Sequence, residues 1–144
     1  MTPPRPIMRI FWTLHRVLRR LTGGRIGTSQ ATERRLGTLF LHTQGHKSGK
    51  PRVNGLFYLR SGPAFVVVGS NAGLGTDPAW WANLQAEPEA EVELDGRRHR
   101  VLARRASEAE AAMLWPRFDA ANPEFVSYRA KAGRPIPVVI LDPR

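Results

Sequence analysis

The 144-residue chain contains no cysteine. Disulfides, thiolate metal sites and cysteine nucleophiles are therefore excluded, and the redox compartment stays undetermined. The four histidines are not spaced along the sequence as metal ligands are, and no aspartate or glutamate recurs at a constant sequence distance from them. The sequence thus predicts no metal site and gives no support to a serine or metal hydrolase. An enzyme without an activated nucleophile or a metal often takes its chemistry from a cofactor.

Long apolar runs are also lacking. None approaches the roughly 20 residues that span a bilayer, and no apolar segment followed by a small-residue cleavage site marks a signal peptide. Residues 7–21 do place apolar side chains at three- and four-residue steps, which predicts a basic amphipathic helix. Such a helix packs on the domain or lies on an anionic membrane surface. We expect a cytoplasmic protein, with peripheral membrane contact through residues 7–21 as the open alternative.

Acidic residues are almost absent from the first part of the chain. Residues 1–60 hold 12 lysines and arginines against one acid, Glu33, whereas residues 61–144 hold 10 against 11. The N-terminal part therefore carries +11 and the remainder −1, which together give the net charge of +10. A field of this sign attracts phosphates, anionic lipid or nucleic acid.

Short strand-like segments dominate the chain from residue 36 onward. The pattern predicts strands at 36–43, 53–60, 65–69, 90–94, 97–105 and 137–141, and short helices at 78–86, 109–121 and 124–132. Asp77 is the expected cap of the first helix, and Ser107 with Glu110 forms a capping box for the second. Asp95–Gly96 is a strong hairpin signal.

Six short strands, mostly linked by hairpins, predict a mainly β fold with added α-helices. The sheet should be mostly antiparallel, and closure into a small barrel would remove its exposed edges. We therefore expect residues 1–35 to form a basic amphipathic helix with a connector, and residues 36–144 to form the barrel domain.

The segment GHKSGKPR, residues 45–52, concentrates positive charge between two predicted strands, and we call it the cationic turn. Gly45 and Gly49 would permit positive φ angles and a close backbone approach. Cationic side chains, a hydroxyl and exposed amides around one concavity are typical of a phosphate cradle. The alternative is a solvated basic hairpin tip.

Three further segments are candidates for ligand contact. The 70–77 loop leaves an apolar strand and leads into a helix, so its free N–H groups favour an anion or a carbonyl oxygen; otherwise it is an ordinary connection. Trp80 and Trp81 are adjacent and point in different directions on the helix, so either both pack in the core or one of them borders a flat aromatic ligand. Phe125 and Tyr128 share a helical face, and Tyr128 either donates a hydrogen bond to a substrate or covers the barrel mouth.

Four separated motifs, taken in order, resemble the deazaflavin-dependent nitroreductase family. They are the cationic turn, SNAG at 70–73, PAWWANL at 78–84, and WP at 115–116 followed by RPIPVV at 134–139. The resemblance covers roughly residues 36–143. It implies a split β-barrel of the kind found in FMN-binding oxidoreductases, with the deazaflavin coenzyme F(420) as hydride carrier.

The resemblance also implies roles for particular residues. The turn would hold the anionic phosphate and polyglutamate tail of the coenzyme, through His46, Lys47, Ser48, Lys50, Pro51 and Arg52, with Asn54 just beyond. The deazaflavin ring would be lined by Val68, Gly69, Ser70 and Asn71 and bordered by Ala79 and Trp80. His46 stands where the family usually has arginine, Ala72 where glycine is common, and Phe125 lacks a hydroxyl that relatives have in the substrate pocket.

The function implied is the transfer of a hydride from reduced F(420) to a quinone, a nitro compound or another conjugated acceptor. Ser70 or Tyr128 would hydrogen-bond the acceptor or relay a proton, and Phe125 and Tyr128 would line the substrate pocket. The alternatives are an FMN-binding split-barrel oxidoreductase and a basic β-barrel that binds nucleic acid. The second is disfavoured because the aromatic residues do not interleave with the basic ones along a strand. A monomer and a homodimer are equally compatible with the sequence.

Overall fold

A computed structural model describes residues 27–144, which form six strands and three α-helices. The strands are β1 (Gly37–Gln44), β2 (Pro51–Ser61), β3 (Ala64–Val68), β4 (Glu89–Leu94), β5 (Arg97–Arg105) and β6 (Val138–Pro143). The helices are α1 (Ala79–Ala86), α2 (Glu108–Ala121) and α3 (Glu124–Ala132), and a 3₁₀ turn spans Asn71–Gly73. The predicted residues 7–21 helix lies outside the described residues.

The six strands form a closed antiparallel barrel in the order β1-β2-β3-β6-β5-β4. Closure comes from β1 and β4, where Phe40, Leu41 and His42 lie opposite Glu93, Val92 and Glu91. Within residues 27–144 every strand therefore has two partners, and closure reduces the exposed sheet edge. The prediction of a small, mainly antiparallel split barrel is confirmed. Strand β2 starts two residues earlier than predicted, because Pro51 and Arg52 already pair with Gln44 and Thr43.

Alternate residues of each strand point into the barrel, as a period of two requires. The buried interior residues are Leu39, Leu41, Tyr58, Phe65, Val67, Val92, Leu94, Val101, Val139 and Leu141. Helix α1 adds Trp80, Trp81 and Leu84 to this core. The two indoles are 4% and 5% exposed, so of the two alternatives the packing of both in the core is confirmed. Neighbours on a helix differ by about 100°, and α1 lies over the barrel interior so that both directions meet apolar side chains.

A second core lies on the outer face of the barrel. Leu59, Val66 and Ile140 project outward from β2, β3 and β6 and pack against Phe118 of α2 and Phe125 of α3. Helix α2 begins at the predicted capping box, with the Ser107 hydroxyl and the Glu110 carboxylate each bonded to the other's backbone N–H. Helix α1 begins differently, because Asp77 makes no cap and instead pairs with Arg134.

The strand directions put all the longer described connections at one end of the barrel. Strand β1 runs towards the cationic turn, β2 runs away from it and β3 returns, so the 70–77 loop emerges at the same end. The segment between β5 and β6, which contains α2 and α3, joins strands at that end too. The opposite end carries two tight turns, at Gly62 and at Asp95–Gly96, where all three residues have positive φ angles as predicted for the Asp–Gly hairpin.

The start of the described chain is also tied to the barrel. The Tyr58 hydroxyl donates to the Ser29 carbonyl and accepts from the Ala31 N–H, and Ser29 bridges to Thr38. The division of the chain at residue 35 stays a prediction. No helix within residues 27–144 has the length and apolar character needed to cross a membrane.

Glu110 should make stability depend on acid. Hydrogen bonds from Arg104, and then from Ser107, lower the pKa of Glu110 from 4.5 to about 2. The carboxylate therefore stabilises the fold above about pH 4.5, and this contribution is lost as the pH falls towards 2. We expect Glu110→Gln to unfold more easily than the parent protein at pH 6 and equally easily at pH 2, as measured by urea denaturation. Ser107→Ala, which removes an uncharged cap, should cost about 1 kcal/mol at both pH values; an equal pH profile for the two variants would contradict the assignment.

Candidate functional site

The cationic turn is a compact hairpin connection. The Gly45 N–H donates to the Lys50 carbonyl and the Gly49 N–H to the Gly45 carbonyl, both at 2.8 Å. Gly49 has a φ of +72°, as predicted, but Gly45 does not have a positive φ. Glycine is needed at position 45 for space, because an added Cβ would lie 2.7 Å from the Ser48 Oγ.

Three cations project from this turn without acidic partners. Lys47, Lys50 and Arg52 are exposed, and within residues 27–144 none of them forms an ion pair. The nearest polar contact of Arg52 is a 3.5 Å approach to the Ser48 Oγ. Arg129, by contrast, is neutralised by a bidentate pair with Asp119. A short turn that collects uncompensated positive charge is suited to an anionic ligand.

Asn83 joins the cationic turn to helix α1. Its Oδ1 accepts from the backbone N–H of His46 at 3.0 Å and from the His46 Nδ1 at 2.6 Å. Its Nδ2 donates to the Thr43 Oγ1 at 3.0 Å. Since Asn83 is only 4% exposed, these bonds lie beneath the turn. Because Asn83 uses its acceptor oxygen, the His46 Nδ1 must carry a proton in this contact.

The backbone preceding and forming the 70–77 loop is held by a single guanidinium group. Arg134 follows α3 and turns back to the loop, with its side chain 14% exposed. It donates to four carbonyl oxygens and one carboxylate, which belong to Gly69, Ser70, Leu74, Thr76 and Asp77. These bonds turn four carbonyl oxygens of residues 69–76 towards the Arg134 guanidinium.

The loop contains a run of left-handed residues. Asn71, Ala72 and Gly73 have φ angles of 47°, 55° and 80°. Asparagine and glycine tolerate this region, whereas an alanine there costs about 1–2 kcal/mol. Within residues 27–144, the Ser70 hydroxyl has no hydrogen-bond partner, so it remains able to bind a ligand.

Tyr128 and Phe125 lie next to this loop on α3. Their rings pack edge to face with centroids 5.8 Å apart, which confirms that they share one helical face. Phe125 also packs on Phe118 at 5.5 Å, within the outer core. The backbone of Tyr128 lies 3.2 Å from the position that a Cβ on Gly73 would take. Burial, and then the charge of Glu124, raise the pKa of Tyr128, so its hydroxyl keeps its proton at neutral pH and can donate a hydrogen bond.

The other residues named from the sequence fall near the same end of the barrel. Gly69 follows β3, where an added Cβ would lie 2.7 Å from Pro137 and 3.4 Å from Pro78, and its N–H donates to the Pro137 carbonyl. Val68 and Asn54 are half-buried strand residues, and Ala79 is the exposed first residue of α1. Trp80 offers very little exposed surface.

Topology thus brings the cationic turn, the 70–77 loop and the start of α1 together. About one helical turn, or ~6 Å along the axis, separates Ala79 from Asn83 beneath the cationic turn. Two residues of this arrangement, Asn83 and Arg134, were not assigned from the sequence. Asn83 lies in the PAWWANL motif and Arg134 in the RPIPVV motif. Their place in these motifs was the sequence signal that could have identified them.

A groove of about 450 Å³ runs along one flank of the cationic turn. Gly49 and Pro51 line it at the turn, and Arg98, Arg100 and Glu91 line it along β4 and β5. Residues 27–144 contain no group of three or more side chains that could hold a metal ion.

Substitutions at neighbouring positions of the left-handed run should have opposite effects on stability. Ala72→Gly relieves the strain at φ +55° and loses part of the gain to the greater freedom of the unfolded chain, so we expect stabilisation by about 0.5–1 kcal/mol. Gly73→Ala adds strain and a contact with Tyr128, and should destabilise by about 1–2 kcal/mol. Urea denaturation of both variants measures the difference, and a less stable Ala72→Gly protein would contradict the described backbone.

Residues 11–143 match the family model described as F(420)H(2)-dependent quinone reductase. An F(420)H(2)-dependent quinone reductase of Mycobacterium tuberculosis is 35% identical over 134 residues, which cover 91% of this chain and 89% of the relative. The solved structure of an F(420)H(2)-dependent reductase, FDR-A, has a TM-score of 0.66 and 27% identity, and covers 79% of this chain and 99% of its own. A solved domain-swapped dimer has a TM-score of 0.68 and 25% identity, with coverage of 95% and 99%.

The family match begins at residue 11, earlier than the resemblance in the barrel motifs, and so includes part of the basic N-terminal segment. It covers most of the chain, and the relatives are matched over nearly their whole length. These findings confirm the family predicted from the four motifs: the chain belongs to the F(420)H(2)-dependent quinone reductase family.

Proposed function

We propose that this protein is an oxidoreductase that uses reduced coenzyme F(420) to reduce a quinone. The observation that carries the proposal is the cationic turn, in which Lys47, Lys50 and Arg52 have no acidic partners in the described part of the chain. A coenzyme with a phosphate and several glutamates in its tail supplies the missing negative charge. FMN, with a single phosphate, would use this charge less fully.

The residues present fit such a tail. The turn offers two ammonium groups, one guanidinium and the Ser48 hydroxyl, and Pro51 and Gly49 open onto the adjoining groove. His46 is exposed beside them, with its Nδ1 already engaged by Asn83. Asn54 lies further along β2. Charge-assisted hydrogen bonds of this type contribute about 1.5–3 kcal/mol each when formed, and less where water competes.

The 70–77 loop and the start of α1 would receive the ring. Val68, Gly69, Ser70 and Asn71 supply the backbone and side-chain groups on one side, with Ala79 and the narrow exposed edge of Trp80 on the other. When bound, reduced F(420) supplies a hydride to the acceptor. The chain holds the two reactants in a fixed relation, which is itself a large share of catalysis.

Two hydroxyl groups are suited to the acceptor. The Ser70 hydroxyl is without a partner in the described residues, and the Tyr128 hydroxyl is a donor at neutral pH, since the pKa of Tyr128 is raised by burial from an ordinary value that is already near 10. Either group can donate a hydrogen bond to a quinone oxygen, or relay the proton that completes the reduction. Phe125, which has no hydroxyl, would shape the pocket from behind Tyr128 through their edge-to-face contact.

Quinones are the favoured acceptors because the family description and the mycobacterial relative both name quinone reductases. Nitro compounds remain a second acceptor class to be assayed.

A homodimer is the proposed assembly, in view of the domain-swapped dimer among the solved structures. Contact of residues 7–21 with the inner membrane surface would bring the enzyme to lipid-soluble quinones, and liposome sedimentation with and without residues 1–21 tests this.

A titration of tryptophan fluorescence with F(420), with FMN and with a short DNA duplex distinguishes the candidate functions. We expect micromolar quenching by F(420), weaker or no quenching by FMN, and none by DNA. In an assay with reduced F(420) and a soluble quinone, we expect the reduced coenzyme to be consumed as the quinone is reduced. Quenching by FMN alone would assign the barrel to flavin, and salt-sensitive binding of DNA alone would assign it to nucleic acid.

Removing two cations of the turn should weaken the binding of F(420). For Lys47→Ala/Arg52→Ala we expect a loss of about 2 kcal/mol, or about 30-fold in Kd, and a shallower dependence of Kd on salt. The matched control is Arg34→Ala/Arg97→Ala, which removes the same charge at the opposite end of the barrel. Equal affinities of the two double variants would show that the turn does not bind the tail.

A further inference from the structure

We propose that Asn83 is a positioning residue that fixes the cationic turn against helix α1 and thereby sets the affinity for the anionic tail of the coenzyme. The inference rests on the proposed function, since it concerns the same ligand. Asn83 is itself only 4% exposed, so it would influence the ligand indirectly, through His46.

Asn83 makes three of the four hydrogen bonds available to its side-chain amide. Its carbonyl oxygen accepts two hydrogen bonds from His46, at 3.0 Å from the backbone N–H and 2.6 Å from Nδ1, and its amide group donates to Thr43 at 3.0 Å. The backbone contact fixes which atom of the amide is oxygen, because an N–H can only donate. A buried amide satisfied in this way has one low-energy orientation.

This set of bonds is how the turn is attached to a distant part of the chain. Within residues 27–144, the hydrogen bonds that join residues 45–50 to residues outside 44–52 all end on Asn83. The remaining bonds of the turn are local, such as that from Gln44 to the Gly49 carbonyl. Without Asn83, the lysines would be carried by a hairpin tip held only at its two strand ends.

Asn83 also determines what the turn is held against. Helix α1 begins at Ala79, directly after the 70–77 loop, and Asn83 lies one helical turn further along. A rigid helix therefore spans the part of the site proposed for the ring and the part proposed for the tail. A ligand that reaches both parts gains affinity when their separation is fixed beforehand, because less order has to be created on binding.

The test compares two ligands in the full-length protein. One is F(420), and the other is the deazaflavin riboside that has the ring but neither phosphate nor glutamates. Asn83→Leu keeps most of the side-chain volume and removes the three hydrogen bonds. We expect its Kd for F(420) to rise about tenfold, as for the loss of an ordered contact, while its Kd for the riboside changes less than twofold.

The controls separate attachment of the turn from general damage. Gln85→Ala removes an exposed amide from the same helix and should leave both Kd values unchanged. Thr43→Val removes only the Nδ2 partner and should have a smaller effect than Asn83→Leu. Hydrogen exchange of the 45–50 amides should accelerate in Asn83→Leu, and Asn83→Asp, which retains an acceptor for both His46 donors, should keep much of the protection.

Asn83→Ser, which is too short to reach His46, serves as the second variant should leucine prevent folding, and the same result is expected. Equal losses of affinity for both ligands, or unchanged affinity for F(420) in a folded variant, would overturn the inference. Failure of the parent protein to bind F(420) at all would instead overturn the proposed function.

Discussion

The pairing of β1 with β4 is the interaction on which the architecture depends. Only three residue pairs, from Phe40 to His42 against Glu93 to Glu91, convert a six-stranded sheet into a closed barrel. Beside them, the His42 Nε2 lies 2.9 Å from the carboxylate of Glu93, a side chain that is almost fully buried. The same carboxylate lies 3.8 Å from the Arg98 Nε, so basic groups of β1 and β5 both face it. Closure therefore has both a backbone and a side-chain component.

Closure also determines where the site can be. The strands pair around the barrel, and the long connections between them within residues 27–144 all emerge at one of its ends. In the proposed function, the anionic and aromatic parts of the ligand would be met there by different elements, the β1–β2 turn and the β3–α1 loop. Helix α1 joins the two, with its indoles in the barrel core and Asn83 under the turn. Because α1 is packed in the core, it can hold the loops of the site in a fixed position. Loops positioned by a rigid scaffold are a common arrangement in enzymes.

Much of this arrangement could be predicted from the sequence, because its signals are local. Alternating strands, the Asp95–Gly96 hairpin and the Ser107–Glu110 capping box each depend on residues a few positions apart, and all three were found as predicted. The concentration of charge at residues 45–52 was equally visible.

Contacts between distant residues could not be predicted in the same way. Asp77 has the chemistry of a helix cap, but Arg134, 57 residues further on, takes its carboxylate. Trp80 and Trp81 point in different directions on α1, so the sequence could not decide whether both are buried. The position of α1 over the barrel decides it, because apolar side chains meet both indoles there. The tether from Asn83 to His46 spans 37 residues and has no periodic pattern. These residues acquire their roles from the closed barrel and not from their neighbours in the chain.

The turn at Gly62 has a consequence for how this molecule can be handled. Open space surrounds the glycine, its neighbours Ser61 and Pro63 are exposed, and it lies at the end of the barrel remote from the cationic turn. An anchor placed there, to an electrode or a bead, would leave the opposite pole facing the bulk liquid. Immobilised molecules would then share one orientation, with the end that carries the cationic turn accessible to dissolved coenzyme and acceptor.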